Sequence, residues 1–292
     1  MSQVTTEDVW SVKRVLAWAA EDLKRRGNEG GRLDVELLLG RVIGLDRIGL
    51  IMQSERPLAA GELSAFRELF KRRRAGEPVA YLLGEREFYG ISLRVDARVL
   101  IPRPDSERLV EVALTRTRER SMRGDALDLC TGSGCVAIAF ARQRPTWNVT
   151  ASDISADALA LAQTNAHRTG AVRNLRLVEG ALFAPIAEQR FDLITANPPY
   201  IATAELATLP VDVRDFEPRL ALDGGADGLD LVREIAAQGP RHLTPGGVLA
   251  MEIGADQGAA ALAILASCGY CDVELARDLG GRDRVVSGYG PP

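Results

Sequence analysis

Histidine, cysteine and lysine are all scarce in this chain of 292 residues. The two histidines, His167 and His242, stand apart from each other and from the four cysteines, and no second C-x-x-C follows Cys268-Gly269-Tyr270-Cys271. That excludes the usual spacing of a structural zinc site, and the lone pair at a helix end running into a strand reads as structural. No metal is expected. Acidic residues outnumber basic ones, 40 to 36, so no positive excess exists to drive non-specific phosphate binding, and direct contact with nucleic acid is not expected. With only Lys13, Lys24 and Lys71 as lysines, arginine clusters such as Arg116 to Arg123 reflect composition as much as partners. The longest apolar run, Ala259 to Ala266, is far short of a membrane span. The opening MSQVTTEDVW has neither a basic n-region nor an apolar h-region, which points to a cytoplasmic protein.

What is present is ordinary globular composition, 46% hydrophobic and 26% charged, with no internal repeat or low-complexity tract. Apolar spacing at Val9, Val12, Leu16 and Ala19, and again from Leu33 to Leu39, predicts a small helical unit over residues 1–84. A further helix opens at Pro57 and ends near Lys71 to Arg74 and Gly76, the basic run complementing the helix dipole. Alternation at Phe88, Ile91, Leu93 and Val95 around Gly90 predicts a β-hairpin, expected to link two domains over 85–100. From 101 to 292 strands and helices alternate as in a doubly wound parallel sheet. Seven strands are expected, at 126–129, 148–152, 175–178, 192–195, 248–253, 273–276 and 285–287, with helices at 135–142, 157–168, 229–243 and 257–267. The ligand belongs at the carboxyl ends of the strands.

Two motifs carry chemistry. The strand ending Leu127-Asp128-Leu129 runs into Cys130-Thr131-Gly132-Ser133-Gly134 and then an apolar helix. Glycines there permit a tight turn and let a ligand lie against main-chain N–H groups at the helix start. Asp153, about twenty positions further on at the end of the next strand, has the place of an acidic residue that accepts ribose hydroxyls. The second motif is Asn197-Pro198-Pro199-Tyr200, directly after the strand Phe191 to Thr195. The prolines stiffen a strand end and remove donors, so the loop at Pro198 offers only acceptors. Such a loop suits a planar nitrogen whose lone pair is delocalised: the Asn197 side-chain oxygen and the Pro198 carbonyl accept its N–H bonds, and Tyr200 stacks on it and excludes water.

In this order the motifs resemble Rossmann-like S-adenosylmethionine-dependent methyltransferases acting on planar nitrogens. The resemblance narrows through Ile101-Pro102-Arg103-Pro104-Asp105-Ser106-Glu107, through Glu217-Pro218-Arg219-Leu220-Ala221-Leu222-Asp223-Gly224-Gly225 with Asp227-Gly228-Leu229-Asp230, and through Asp278-Leu279-Gly280-Gly281-Arg282-Asp283-Arg284. Over nearly the whole chain it is similar to the HemK family, the peptide chain release factor glutamine methyltransferases. The resemblance implies an α/β fold, a Rossmann-like seven-stranded methyltransferase sheet with a small N-terminal helical domain joined by a β-hairpin. It also implies methylation of the glutamine amide in the Gly-Gly-Gln motif of class I release factors, by a monomer that needs no membrane. By analogy, Cys130, Thr131, Gly132, Ser133 and Gly134 hold the methionine part of S-adenosyl-L-methionine, Asp153 its ribose, and Asn197, Pro198, Pro199 and Tyr200 the glutamine, with Asn197 also beside the cofactor. The chain departs from the family at Gly180-Ala181-Leu182-Phe183, where a Ser-Asp-aromatic-Phe stretch is common. Ala181 cannot accept a bond from an adenine amino group, so adenine recognition comes from elsewhere in the chain, or from main chain and apolar contact. Rival readings are the glutamine methyltransferase of a large-subunit ribosomal protein, a DNA amino-methyltransferase, and a dinucleotide-dependent oxidoreductase or silent cofactor-binding module. The I-P-R-P segment and the Gly281-x-x-Arg284 close favour the release factor over the first of these, and the acidic balance speaks against the second.

Overall fold

The computed structural model describes residues 9–28 and 30–291, so the opening octet read above for a leader lies outside the described residues. The chain divides into two compact units, Met1–Gly84 and Glu85–Pro292.

In the first unit, helix α1 (Val12–Arg25) starts where the Ser11 side chain accepts the Arg14 N–H, and it ends on Lys24 and Arg25, which complement its dipole. Its buried face, Val12, Val15, Leu16, Ala19 and Leu23, shares one core with α2 (Gly31–Ile43), α3 (Arg47–Met52), α4 (Ala60–Arg74) and α5 (Val79–Leu83). Pro57 does not open α4. It pairs with Ser11 in an isolated bridge, and the helix begins at Ala60, with the Glu62 carboxylate accepting the Ala59 N–H at 2.8 Å. The basic end of α4 has ionic partners as well as the dipole: Arg73 meets Asp34 at 2.7 Å and Arg74 meets Asp22 at 3.0 Å.

The second unit begins with the hairpin β1 (Glu85–Phe88) and β2 (Ile91–Arg94), turned by Tyr89 and Gly90, both at positive φ as a two-residue hairpin turn requires. Residues 85–100 fall within this unit, because Phe88, Ile91 and Leu93 are part of its core. The main sheet holds β3 (Asp125–Leu129), β4 (Asn148–Asp153), β5 (Leu175–Glu179), β6 (Phe191–Ala196), β7 (Leu243–Glu252), β8 (Cys271–Arg277) and β9 (Asp283–Tyr289) in the order β5-β4-β3-β6-β7-β9-β8. Around it run α6 (Glu107–Arg116), α7 (Cys135–Gln143), α8 (Ala156–Thr169), the short α9 (Val211–Arg214), α10 (Asp230–His242) and α11 (Gly258–Ser267).

The sheet is mixed, not wholly parallel. Strands β3 to β7 are parallel, whereas β9 runs antiparallel to both β7 and β8. Only residues 278–282 separate β8 from β9, too few for the crossover that a parallel neighbour needs, so the chain folds straight back. Two cores flank the sheet, and successive residues alternate between them: Val248 and Ala250 face one, Leu249 and Met251 the other. Strand order reverses at β3, between β4 and β6, which opens a crevice at the carboxyl ends of these strands.

Candidate active site

Beyond β3 the backbone turns through Cys130 and Gly132, at φ 55° and 53°, and Gly134, at φ 80°, begins α7. Asp128, fully buried, fastens this turn: its carboxylate accepts the Thr131 hydroxyl at 2.6 Å and the Thr195 hydroxyl of β6 at 2.7 Å. Burial pushes the Asp128 carboxyl up to about 6, against those two bonds and the Ala137 N–H, which favour its charged form. Asp153, at the end of β4, accepts the N–H of Gly132 at 2.8 Å and that of Ser155 at 2.9 Å, so it braces the glycine turn from the neighbouring strand. On α8, the buried Asn165 side chain donates to the Ser133 carbonyl at 2.9 Å and exchanges two bonds with the Arg94 backbone, tying turn to hairpin. Burial, then Asp153 and Asp128, push the Cys130 thiol upward, and burial and Asp128 push Cys135 up to about 12, so both are neutral thiols.

Over this turn lies a cavity of about 270 Å³. Of the sequence-predicted residues, Cys130, Thr131, Gly132, Ser133, Asp153, Asn197 and Pro199 line it, while Gly134, Pro198 and Tyr200 do not. Gly180, Ala181 and Leu182 add a further wall, and Leu100, Pro102, Pro218 and Leu220 an apolar one. That last wall is held by Glu217, which accepts the Ile101 N–H at 3.1 Å and pairs with Arg103 at 2.5 Å. Burial raises the Glu217 carboxyl, with Arg103 opposing it.

The loop after β6 sits at the cavity's side. Asn197 Nδ2 donates to Ser106 Oγ at 3.2 Å, and Asn197 Oδ1 accepts no bond among the described residues. Tyr200, expected to stack on the substrate, is not among the residues lining the cavity. Its phenol donates to Glu252 Oε1 at 3.2 Å, which satisfies a hydroxyl that would otherwise be buried unpaired. Burial, then the Glu252 charge, raise the phenol above its ordinary value, so Tyr200 anchors the loop as a neutral donor. Gly224 packs beneath: a Cβ there would lie 2.6 Å from the Pro199 carbonyl oxygen. Sequence reasoning missed Ser106, Asp128, Glu217 and Glu252 as parts of the site. The signal for Glu252 was a carboxylate inside the apolar run Val248 to Ile253.

The family profile described as PrmC N-terminal domain matches residues 14–84, and the methyltransferase small domain profile matches 106–211. The release factor glutamine methyltransferase of Geobacter sulfurreducens is 46% identical over 281 residues, 96% of this chain and 97% of that one. Its counterpart from Chlorobaculum tepidum is 43% identical over 289 residues, 96% and 98% of the two chains. The chain belongs to the release factor glutamine methyltransferase family. A solved methyltransferase from Pyrococcus furiosus superposes with a TM-score of 0.52 at 19% identity, covering 78% of this chain and 100% of that one, which supports the fold.

Release factor glutamine methyltransferases depend on S-adenosylmethionine, and the cavity fits it. The buried Ser152 hydroxyl, on the cavity wall, has no hydrogen-bond partner among the described residues. A Cβ at Gly132 would meet no atom within 4 Å, so the surface over the turn is open for a ligand to approach main chain. A hydroxyl-bearing sugar and an amino-acid tail match that donor set, with Ala181 and Leu182 offering apolar contact to a flat base. No group of three or more His, Cys, Asp or Glu side chains among the described residues is arranged to hold a metal ion.

Proposed function

We propose that this chain methylates the side-chain amide nitrogen of the glutamine in the Gly-Gly-Gln motif of class I peptide chain release factors. The observation that carries this reading is that Asn197, on the proline-stiffened loop after β6, and the glycine turn after β3 line one cavity. S-adenosylmethionine, when bound, supplies a methyl group activated by its sulfonium. The main chain from Cys130 to Gly134 would hold its methionine part, and Asp153, already braced on Gly132 and Ser155, retains lone pairs for ribose hydroxyls.

An amide nitrogen is a poor nucleophile because its lone pair is shared with the carbonyl. Asn197 Oδ1 and the Pro198 carbonyl accept its two N–H bonds, which orients the nitrogen and raises its electron density in line with the transfer. The apolar wall of Leu100, Pro102, Pro218 and Leu220 excludes water. A protonated amide is a strong acid, so the extra proton passes to solvent without a strong base in the site. Positioning and desolvation are therefore the protein's main contributions.

The helical unit of residues 1–84 supplies contact to the release factor, and its α3 carries the exposed apolar side chains Ile48, Ile51 and Met52. The enzyme acts as a cytoplasmic monomer, without direct nucleic-acid contact and without a membrane; no helix among the described residues is long and apolar enough to cross one. Peptide mass spectrometry of a purified release factor incubated with this protein and S-adenosylmethionine tests the reading. One methyl on the Gly-Gly-Gln glutamine is expected. A methylated large-subunit ribosomal protein with an unmodified release factor would overturn the substrate.

A further inference from the structure

The segment Asp278 to Arg284 stands out in the sequence, yet none of its residues lines the cavity. It makes the turn from β8 into β9 and is locked from within. The Asp278 N–H donates to the Arg282 carbonyl at 2.9 Å, and the Asp278 carboxylate accepts the Arg282 N–H at 3.0 Å and Arg284 Nη2 at 3.2 Å. Arg284 Nη1 donates to the Ile253 carbonyl, just past β7, at 3.2 Å. The Asp278 side chain is 1% exposed and that of Arg284 8%, so solvent does not compete for these bonds. The Arg284 guanidinium is therefore a fixed post, held by a buried carboxylate on one side and by main chain on the other.

Asp105 rests against this post. Its Oδ2 lies 3.4 Å from Arg284 Nη2 and accepts Arg282 Nη2 at 3.2 Å. Asp105 is the middle residue of a single 3₁₀ turn, Pro104–Ser106, just ahead of α6. So short a turn holds few backbone bonds of its own, and its side chains decide where it sits. Ser106 Oγ, at the end of the turn and on the cavity wall, accepts Asn197 Nδ2 at 3.2 Å. Holding Nδ2 at one end of the amide fixes where Oδ1 stands at the other. We propose, on the glutamine-amide reading of Asn197, that Asp105 and Arg284 are positioning residues. The guanidinium post sets the 104–106 turn, and the turn, through Ser106, sets the asparagine amide that receives the substrate. In-line transfer tolerates little displacement of the groups that orient the nucleophile, so a loosened turn slows the reaction.

Asp105 is the place to cut this connection. Its side chain is 38% exposed, and its removal leaves the Asp278–Arg284 pair intact, so the fold should survive. Asp105→Ala, Asp105→Glu, Ser106→Ala and the double variant Asp105→Ala/Ser106→Ala are made in the full chain. For each, kcat and KM are measured on a purified class I release factor, and S-adenosylhomocysteine affinity by calorimetry. Asp105→Ala should lower kcat by about tenfold, with KM and cofactor affinity within about threefold, and Asp105→Glu, which keeps the carboxylate, should restore it to within about threefold of the parent. Because Asp105 acts through Ser106, the double variant should be no more than about threefold slower than Ser106→Ala alone. Losses that multiply, an unchanged kcat in Asp105→Ala, or a cofactor affinity that falls in step with kcat would each overturn the proposal.

A second readout needs no turnover. In ¹⁵N-asparagine-labelled protein bound to S-adenosylhomocysteine, the Asn197 side-chain amide should be as ordered as rigid backbone, with an order parameter of about 0.85. In Asp105→Ala it should fall below about 0.6. Asn165, with its three bonds to backbone groups, is the internal control and should not change. Equal order at Asn197 in both proteins would overturn the proposal, and so would a fall shared by Asn165, which marks general loosening. Should the parent leave the release factor unmethylated while Asn197 alone loosens in Asp105→Ala, the substrate reading fails and the positioning role stands.

Discussion

Asn197 carries the most specific expectation at the scale of single residues. Removing its side-chain oxygen in Asn197→Ala leaves the cavity walls in place, so S-adenosylhomocysteine affinity should stay within about threefold while methyl transfer falls more than tenfold, over about 1.4 kcal/mol. Retained transfer in a steady-state assay would remove Asn197 from the mechanism. Asp128 makes a pH-dependent expectation. Its folded carboxyl stands near 6, above the ordinary value of 3.8, because it is buried. The folded state therefore holds the proton more tightly than the unfolded chain, and stability from this group is full below about pH 4 and lost as pH rises towards 6. Denaturant titrations should show the parent losing stability relative to Asp128→Asn across that window, by about 3 kcal/mol at most. The local motifs were readable because the residues of the glycine turn and of Asn197 to Tyr200 are contiguous. Ser106 and Glu252 were not, since Ser106, just before α6, lies 91 positions from Asn197 in the chain, and Glu252 meets Tyr200 only when β6 and β7 pair.

The turn between β3 and α7 and the hairpin beside it behave as built elements whose failures differ. A Cβ at Gly134 would meet Ile138 Cδ1 at 3.1 Å and Ala162 Cβ at 3.2 Å, at φ 80°. Gly134→Ala should therefore cost about 1–2 kcal/mol in a urea titration, from strain and crowding together. Gly132→Ala is strained too, at φ 53°, but its Cβ points into open space. Its larger effect should be on the ligand, with S-adenosylhomocysteine affinity falling more than in Gly134→Ala when both are measured by calorimetry. Asn165→Leu removes three bonds to backbone groups, those to Arg94 N–H, Arg94 carbonyl and Ser133 carbonyl, and should cost about 2–4 kcal/mol. Most element types were legible, with β3 to β6 expected within a residue or two of their ends. Helix α6 was passed over although Leu109, Val110 and Ala113 carry helical spacing. The long β7, starting at Leu243, was read as beginning at Val248, because Pro245, Gly246 and Gly247 break the strand signature and the ladder shifts register between Phe191 and Leu193.

Across the molecule, alternation of strand and helix revealed an α/β sheet, but periodicity says nothing about strand direction; the length of the 278–282 connection does. The ligand cavity is built wholly from residues of the second unit, so a bound ligand should stabilise that unit by mass action. At about a hundredfold above its dissociation constant, S-adenosylhomocysteine should add about 2.7 kcal/mol, a rise of roughly 5–10 °C in a calorimetric scan.

The order β7-β9-β8 has a consequence for how the protein is made. Strand β8 is synthesised first, yet it reaches the sheet only through β9, which lies between it and β7. Until residues 283–289 have left the ribosome, β7 exposes a bare edge that includes Val248, Leu249, Ala250 and Met251, all fully covered in the finished fold. A nascent chain stalled before Asp283 is thus the aggregation-prone species, and chaperone protection matters most in that late interval of translation.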